Sequence, residues 1–114
     1  MNRRKKGSSG EEKAVAFLKK KDYIILERNF YCREGELDII ARQNDYLIFV
    51  EVKMLGSYEL ENLGFIVNDS KQIRLRKAAQ KYLQQKGLAE ETKLRFDLIA
   101  LLKNGRVLHL ENAF

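Results

Sequence analysis

Neither proline nor tryptophan occurs in this chain, and cysteine and histidine occur once each. Without proline there is no Pro-rich linker to separate a second domain. Cys32 alone cannot close an internal disulfide, so a secreted, disulfide-stapled scaffold is excluded. One cysteine and one histidine also leave no Cys/His cluster for zinc. No apolar run approaches the ~18 residues of a membrane helix. Residues 7–11 are Gly-Ser-Ser-Gly-Glu, where a signal peptide would need an apolar stretch. Nucleophile-elbow, P-loop and dinucleotide fingerprints are absent as well. The expectation is a soluble cytoplasmic protein with no membrane partner.

What is present is 114 residues, 45% of them hydrophobic and 33% charged. That suits one globular domain, which at this size buries roughly two thirds of its unfolded surface. The expected division is a mobile basic arm over residues 1–8 and a single domain over 9–114. The net charge of +6 favours a polyanionic partner. Its distribution is uneven: residues 1–22 and 71–114 carry +5 and +6, while residues 23–70 carry -5. Carboxylates concentrated in the centre would repel phosphate, so a plain nucleic-acid binder does not account for them.

Along the chain, Ser8-Ser9-Gly10-Glu11-Glu12 offers a helix start, and Ala14, Phe17 and Leu18 form the apolar stripe of a helix to about Lys21. Strands are expected from Tyr23 to about Phe30, Glu36 to Arg42 and Tyr46 to Lys53. A loop from Gly56 to Asp69 precedes a helix capped by Asp69 or Ser70, buried through Leu75, Ala78, Ala79, Tyr82 and Leu83, and ended by Gly87. Leu94 to Leu102 reads as a strand, and Asn104-Gly105 as a hairpin turn into Val107 to Leu110. The order is αβββαββ, an α/β fold.

The register of the second and third strands is the most informative step. With Asn44-Asp45 as the turn, Leu37 faces Val52, Ile39 faces Val50 and Ala41 faces Ile48, one apolar face; a slip of one residue would bury Glu36 and Asp38 instead. The other face then sets Glu36 opposite Lys53, Asp38 opposite Glu51, and Ile40 opposite Phe49. Opposed side chains have Cβ atoms ~4.5–5.5 Å apart. At that range the repulsion between two carboxylates is on the order of 3 kcal/mol. Two oxygen-donor groups beside an ammonium suit Mg²⁺ or Mn²⁺, and such an ion would turn the acidic centre from repelling phosphate to polarising it. A solvated charge network on a sheet face is the alternative.

Asp38, twelve residues, then Glu51-Val52-Lys53 resembles the Asp…Glu-x-Lys pattern of the PD-(D/E)XK nucleases. The longer string of Gly10-Glu11, Tyr23-Ile24-Ile25-Leu26 with Asn29, residues 35–41 (GELDIIA), residues 49–53 (FVEVK), Lys71, Ala78 with Tyr82-Leu83, Arg95-Phe96-Asp97 and Ala113-Phe114 resembles the YraN-type family over nearly the whole chain. This is a bacterial family of poorly characterised proteins, described as endonuclease-like and related to restriction enzymes and archaeal Holliday-junction resolvases. The resemblance implies a restriction-endonuclease-like αβββαβ core, a mixed central sheet flanked by helices, and a final β-hairpin. It implies that Asp38, Glu51 and the backbone carbonyl of Val52 hold Mg²⁺ or Mn²⁺, and that Lys53 orients and helps deprotonate the attacking water. Glu11 matches the position of an extra acidic ligand in resolvase-like members; helix capping is its other reading. A homodimer is a further implication of the resolvase likeness. Where family members often carry an arginine after the motif lysine, this chain has Met54-Leu55.

Lys71, Arg74, Lys77 and Lys81 recur along one side of the second helix and, with Arg3 and Arg4 of the arm, could track a phosphate backbone; a solvated face is the alternative. Cys32 reads as an inert small residue, and His109 as an exposed or hydrogen-bonded one. Three functions follow for test: a Mg²⁺-dependent endonuclease-like protein acting on DNA, with branched or structured DNA implied by the family resemblance alone; a nucleic-acid-binding domain without catalysis; and a structural adaptor.

Overall fold

The computed structural model describes residues 8–56, 67–88 and 92–114. The sequence folds as α1 (Ser8–Lys20), β1 (Ile24–Cys32), β2 (Gly35–Gln43), β3 (Tyr46–Leu55), α2 (Asp69–Lys86), β4 (Lys93–Leu102) and β5 (Val107–Leu110). This is the expected αβββαββ order. The strands form one sheet in the order β1-β2-β3-β4-β5. Only β3 and β4 are parallel, joined through α2; the other neighbours are antiparallel. The arm and its Arg3 and Arg4 lie outside the described residues, as does most of the expected 56–69 loop. No helix among the described residues is long and apolar enough to cross a membrane.

Both faces of the sheet are covered, so its central strands are apolar on both sides. Ala14, Val15 and Leu18 of α1 pack with Ile39, Ala41, Ile48, Val50, Ile99 and Leu101. Leu75, Ala78, Ala79 and Tyr82 of α2 pack with Phe30, Leu37, Ile40, Leu47, Phe49, Phe96 and Leu98. Residues of β3 alternate between these two layers, as the period of a strand requires. Gly87 ends α2 in the left-handed conformation, φ 64°. The α2 cap is Asn68 rather than Asp69 or Ser70: its side chain accepts from Lys71 N at 2.8 Å, and Asp69 falls in the first turn. An asparagine serves as well there, and an acid one position on favours the helix dipole. At the β4–β5 turn, Leu102 N donates to Arg106 O and Gly105 takes φ 88°, giving a three-residue loop around Asn104-Gly105.

The β2–β3 register holds from Ile39↔Val50 to Gln43↔Tyr46, with Asn44 at φ 57°. Beyond Ile39 the expected ladder stops. Asp38–Glu51, Leu37–Val52 and Glu36–Lys53 are not among the paired residues, and Leu37 packs on the α2 face with Ile40 instead of sharing a face with Ile39. The cause is a break in the pleat. Asn29 of β1 adopts φ 55°, the β1–β2 pairing skips Asn29 and Asp38, and β2 exchanges its faces at Asp38. Val52 N then bonds to the Asp38 side chain, Oδ2, at 2.9 Å.

Candidate functional site

The pleat break turns Asp38 from a ladder residue into a side-chain acceptor at the edge of a cavity. Glu51, Val52 and Lys53 reach the same place from β3. Gly10 lets α1 lie close to the sheet, since a Cβ there would sit 3.0 Å from Leu101 Cδ1; Glu11, one residue on, is thereby brought over the strands. Lys71 enters from the first turns of α2. Asp38, Glu51, Val52, Lys53, Glu11 and Lys71 all line one cavity of about 650 Å³. The expected set Asp38, Glu51, Val52, Lys53 and Glu11 is therefore brought together, although not by direct strand opposition.

Two carboxylates here are nearly closed to solvent: Glu11 is 4% exposed and Glu51 6%. Glu11 Oε1 accepts from Asn29 Nδ2 at 3.0 Å and lies 3.6 Å from Arg28 Nη2. Glu51 Oε2 lies 2.5 Å from Lys71 Nζ. Burial, followed by the charge of Glu51, pushes the Asp38 carboxyl up to about 7, although the Val52 N–H opposes the shift. Burial and then the neighbouring Lys71 charge pull Lys53 below the ordinary lysine value. Lys71 moves the other way: burial pulls it down, but its bond to Glu51 outweighs that and holds it above the ordinary value. The cluster thus contains a carboxyl pushed up by burial and a like charge, and an amine pulled down by burial and a like charge.

Among the described residues, no three Asp, Glu, His or Cys side chains come together as a metal-binding group. Asp38 and Glu51 supply two. Oxygen-only donors in that number fit Mg²⁺ or Mn²⁺, ions that keep several waters and use one or two carboxylates. Glu11, tied to Asn29 and Arg28, contributes negative potential at Asp38.

A smaller cavity of about 170 Å³ shares Asp38, Glu51 and Lys71 with the first and adds Glu36 and Arg74. Arg74, Lys77 and Lys81 are exposed on α2, whereas Lys71 is half-buried at the end of the stripe nearest the carboxylates. Two further cations, Lys13 and Arg106, line the large cavity beside Met54. Neither drew notice in the sequence, because α1 and the β4–β5 turn meet at this cavity only after folding.

A second charged cluster also escaped sequence reading. Asp97 of β4 is 0% exposed. Arg95 Nε donates to its Oδ1 and Nη2 to its Oδ2, each at 3.0 Å; Asn112 N donates at 2.9 Å, and His109 Nε2 lies 2.8 Å away. His109 Nδ1 is 2.8 Å from Lys21 Nζ, and Tyr23 OH accepts from Arg95. Burial pushes the Asp97 carboxyl up, but His109, Arg95 and the Asn112 N–H outweigh it and hold it below the ordinary aspartate value. The available signal was an acid within the apolar run 94–102, which a doubly covered strand tolerates only with partners.

The chain matches the model of the uncharacterised protein family UPF0102 over residues 10–101. It is 43% identical over 104 residues to a UPF0102 protein of Caldicellulosiruptor saccharolyticus, covering 91% of this chain and 87% of the relative. A UPF0102 protein of Lachnoclostridium phytofermentans is 40% identical over 114 residues, covering 100% and 96%. One from Treponema denticola is 39% identical over 121 residues, covering 95% and 93%. With the family model matching most of its length and relatives matching nearly end to end, the chain belongs to the UPF0102 family.

Proposed function

We propose that this chain is a Mg²⁺- or Mn²⁺-dependent nuclease-like protein that hydrolyses DNA phosphodiesters. The observation that carries the reading is the pair Asp38 and Glu51, partly and almost wholly buried, beside Lys53 in a cavity rimmed by Lys13, Lys71 and Arg106. Structural charges in a fold this small are normally neutralised by partners; a carboxyl pushed up to about 7 is instead suited to a cationic ligand. The likeness to PD-(D/E)XK nucleases supplies the roles. Asp38, Glu51 and the Val52 carbonyl would hold the metal, with Glu11 adding negative potential. A divalent cation in such a site polarises phosphoryl oxygen and lowers the pKa of bound water. Lys53, pulled below the ordinary lysine value, would orient the attacking water and help deprotonate it, and Arg106 and Lys13 would hold neighbouring phosphates. Arg74, Lys77 and Lys81 extend the contact along the backbone, a sequence-independent and salt-sensitive interaction.

A second reading, a nucleic-acid-binding domain without turnover, draws support from Lys71 already occupying Glu51. Cleavage assays on duplex, single-stranded and four-way-junction DNA decide between the two. Nuclease function predicts Mg²⁺- or Mn²⁺-dependent products that disappear in Asp38→Asn and Glu51→Gln. Binding without products in any substrate favours the second reading, and cleavage undiminished in both variants sinks the assignment of the site.

A further inference from the structure

We propose that Lys71 is the site's built-in counter-ion, and that its exchange between Glu51 and a DNA phosphate couples divalent-cation binding to phosphate binding. The inference rests on the reading of Asp38 and Glu51 as a metal-holding pair.

The sequence places Lys71 at the start of a basic helix stripe. In the fold its ammonium lies 2.5 Å from Glu51 Oε2, with the Glu51 side chain 7% exposed and that of Lys71 28%. The charged groups that act on it are Glu51, Lys53 and Asp38. An ammonium at that distance from Oε2 competes with a divalent cation for the Glu51 carboxylate, since the two cations repel. Loading the pair therefore favours a Lys71 that has left Glu51. The backbone need not move for this. Asn68 accepts from the Lys71 N–H at 2.8 Å and fixes the first turn of α2, while the four-carbon stem can swing.

Space for the swing exists, because Lys71 lines both the 650 Å³ and the 170 Å³ cavities. The smaller one also contains Arg74, one turn along the helix. A phosphate entering there meets both cations, and a Lys71 released from Glu51 regains an anionic partner. Two ligands that each favour the released position of one side chain must favour each other's binding, by reciprocity of linkage. Lys71 is on this account a positioning residue: in the unloaded protein it holds Glu51, and in the loaded one it holds substrate.

The test is calorimetric titration of the full chain with Mn²⁺, with and without a 12-nucleotide phosphorothioate-backbone DNA that resists cleavage. Lys71→Met should bind Mn²⁺ about tenfold more tightly than wild type when no DNA is present, a coupling of ordinary size. It should also lose the DNA-dependent gain in Mn²⁺ affinity that wild type shows. Lys20→Met, which removes a surface charge elsewhere, should leave Mn²⁺ affinity at the wild-type value. If Lys71→Met misfolds by circular dichroism, Lys71→Gln carries the same expectations. Equal or weaker Mn²⁺ binding in the Lys71 variants overturns the proposal alone, provided Glu51→Gln abolishes binding. Mn²⁺ binding that is absent from wild type, or undiminished in Glu51→Gln, overturns the metal-pair reading as well.

Discussion

Asp38 and Asp97 are both drawn into the sheet of one small domain, yet they are treated in opposite ways. Asp97 is surrounded by Arg95, His109 and the Asn112 N–H, and is held below its ordinary pKa. Asp38 has the Val52 N–H, faces the negative charge of Glu51, and is pushed up to about 7. A buried carboxylate with its partners built in does structural work: Asp97 ties β4 to β5, the C-terminal segment and, through Arg95 and Tyr23, the start of β1. One that faces a like charge at the edge of a cavity is where a bound cation would be favoured. The contrast separates binding chemistry from scaffolding better than burial does, since Asp97 is the more buried of the two.

The largest effect should come from breaking the satisfied cluster. Asp97→Ala leaves Arg95 without its carboxylate and should cost about 3–5 kcal/mol in urea unfolding, the usual range for removing one member of a buried pair. A loss under about 1 kcal/mol would make that network incidental. Next, Asp38→Asn should stabilise the fold by about 1–2 kcal/mol at pH 8, because it removes a charge the folded state disfavours while an amide oxygen can still accept from Val52. The two residues also differ in sign with pH. A depressed Asp97 contributes stability at neutral pH that is lost as pH falls through its folded pKa, so Asp97→Asn should flatten the acid limb of a Tm–pH curve. A raised Asp38 binds its proton more tightly in the folded state, so between about 4 and 7 stability falls as pH rises; Asp38→Asn should remove that fall. An unchanged profile in both variants would erase the contrast.

Much of the scaffold could be read from pattern alone. Ile39, Ala41, Ile48 and Val50 determine the hairpin register by the need to bury one face, and Gly87 marks the helix end by the backbone it permits. The carboxylates and Lys53 that meet at the cavity could be singled out in the sequence, but the geometry that gathers them could not. Asn29 adopts its left-handed backbone beside a long-range bond to Glu11, and no local pattern reports such a contact; the pleat break at Asp38 went unseen for that reason. Lys71 shares its spacing with Arg74, Lys77 and Lys81, so periodicity could not single it out as Glu51's partner. The Asp97 cluster joins Lys21 and Tyr23 to residues 72–88 positions away, beyond the reach of spacing arguments.

The smallest effect belongs to the outer stripe. Lys77→Gln with Lys81→Gln should weaken DNA binding modestly and reduce the slope of log affinity against log salt by about 2 if each lysine meets one phosphate. Metal affinity should not change, since neither residue lines the cavity of Asp38 and Glu51. A double variant with the wild-type salt slope would confine DNA contact to the cavity and Arg74.

The most direct test of the central contrast is a carboxyl ¹³C NMR titration of Asp38 and Asp97, without metal and with saturating Mg²⁺. The account predicts that Asp38 titrates near 7 in the metal-free protein and shifts sharply downward with Mg²⁺, while Asp97 remains below the ordinary aspartate value in both conditions. An Asp38 that titrates as an ordinary carboxylate and does not respond to Mg²⁺ would contradict it.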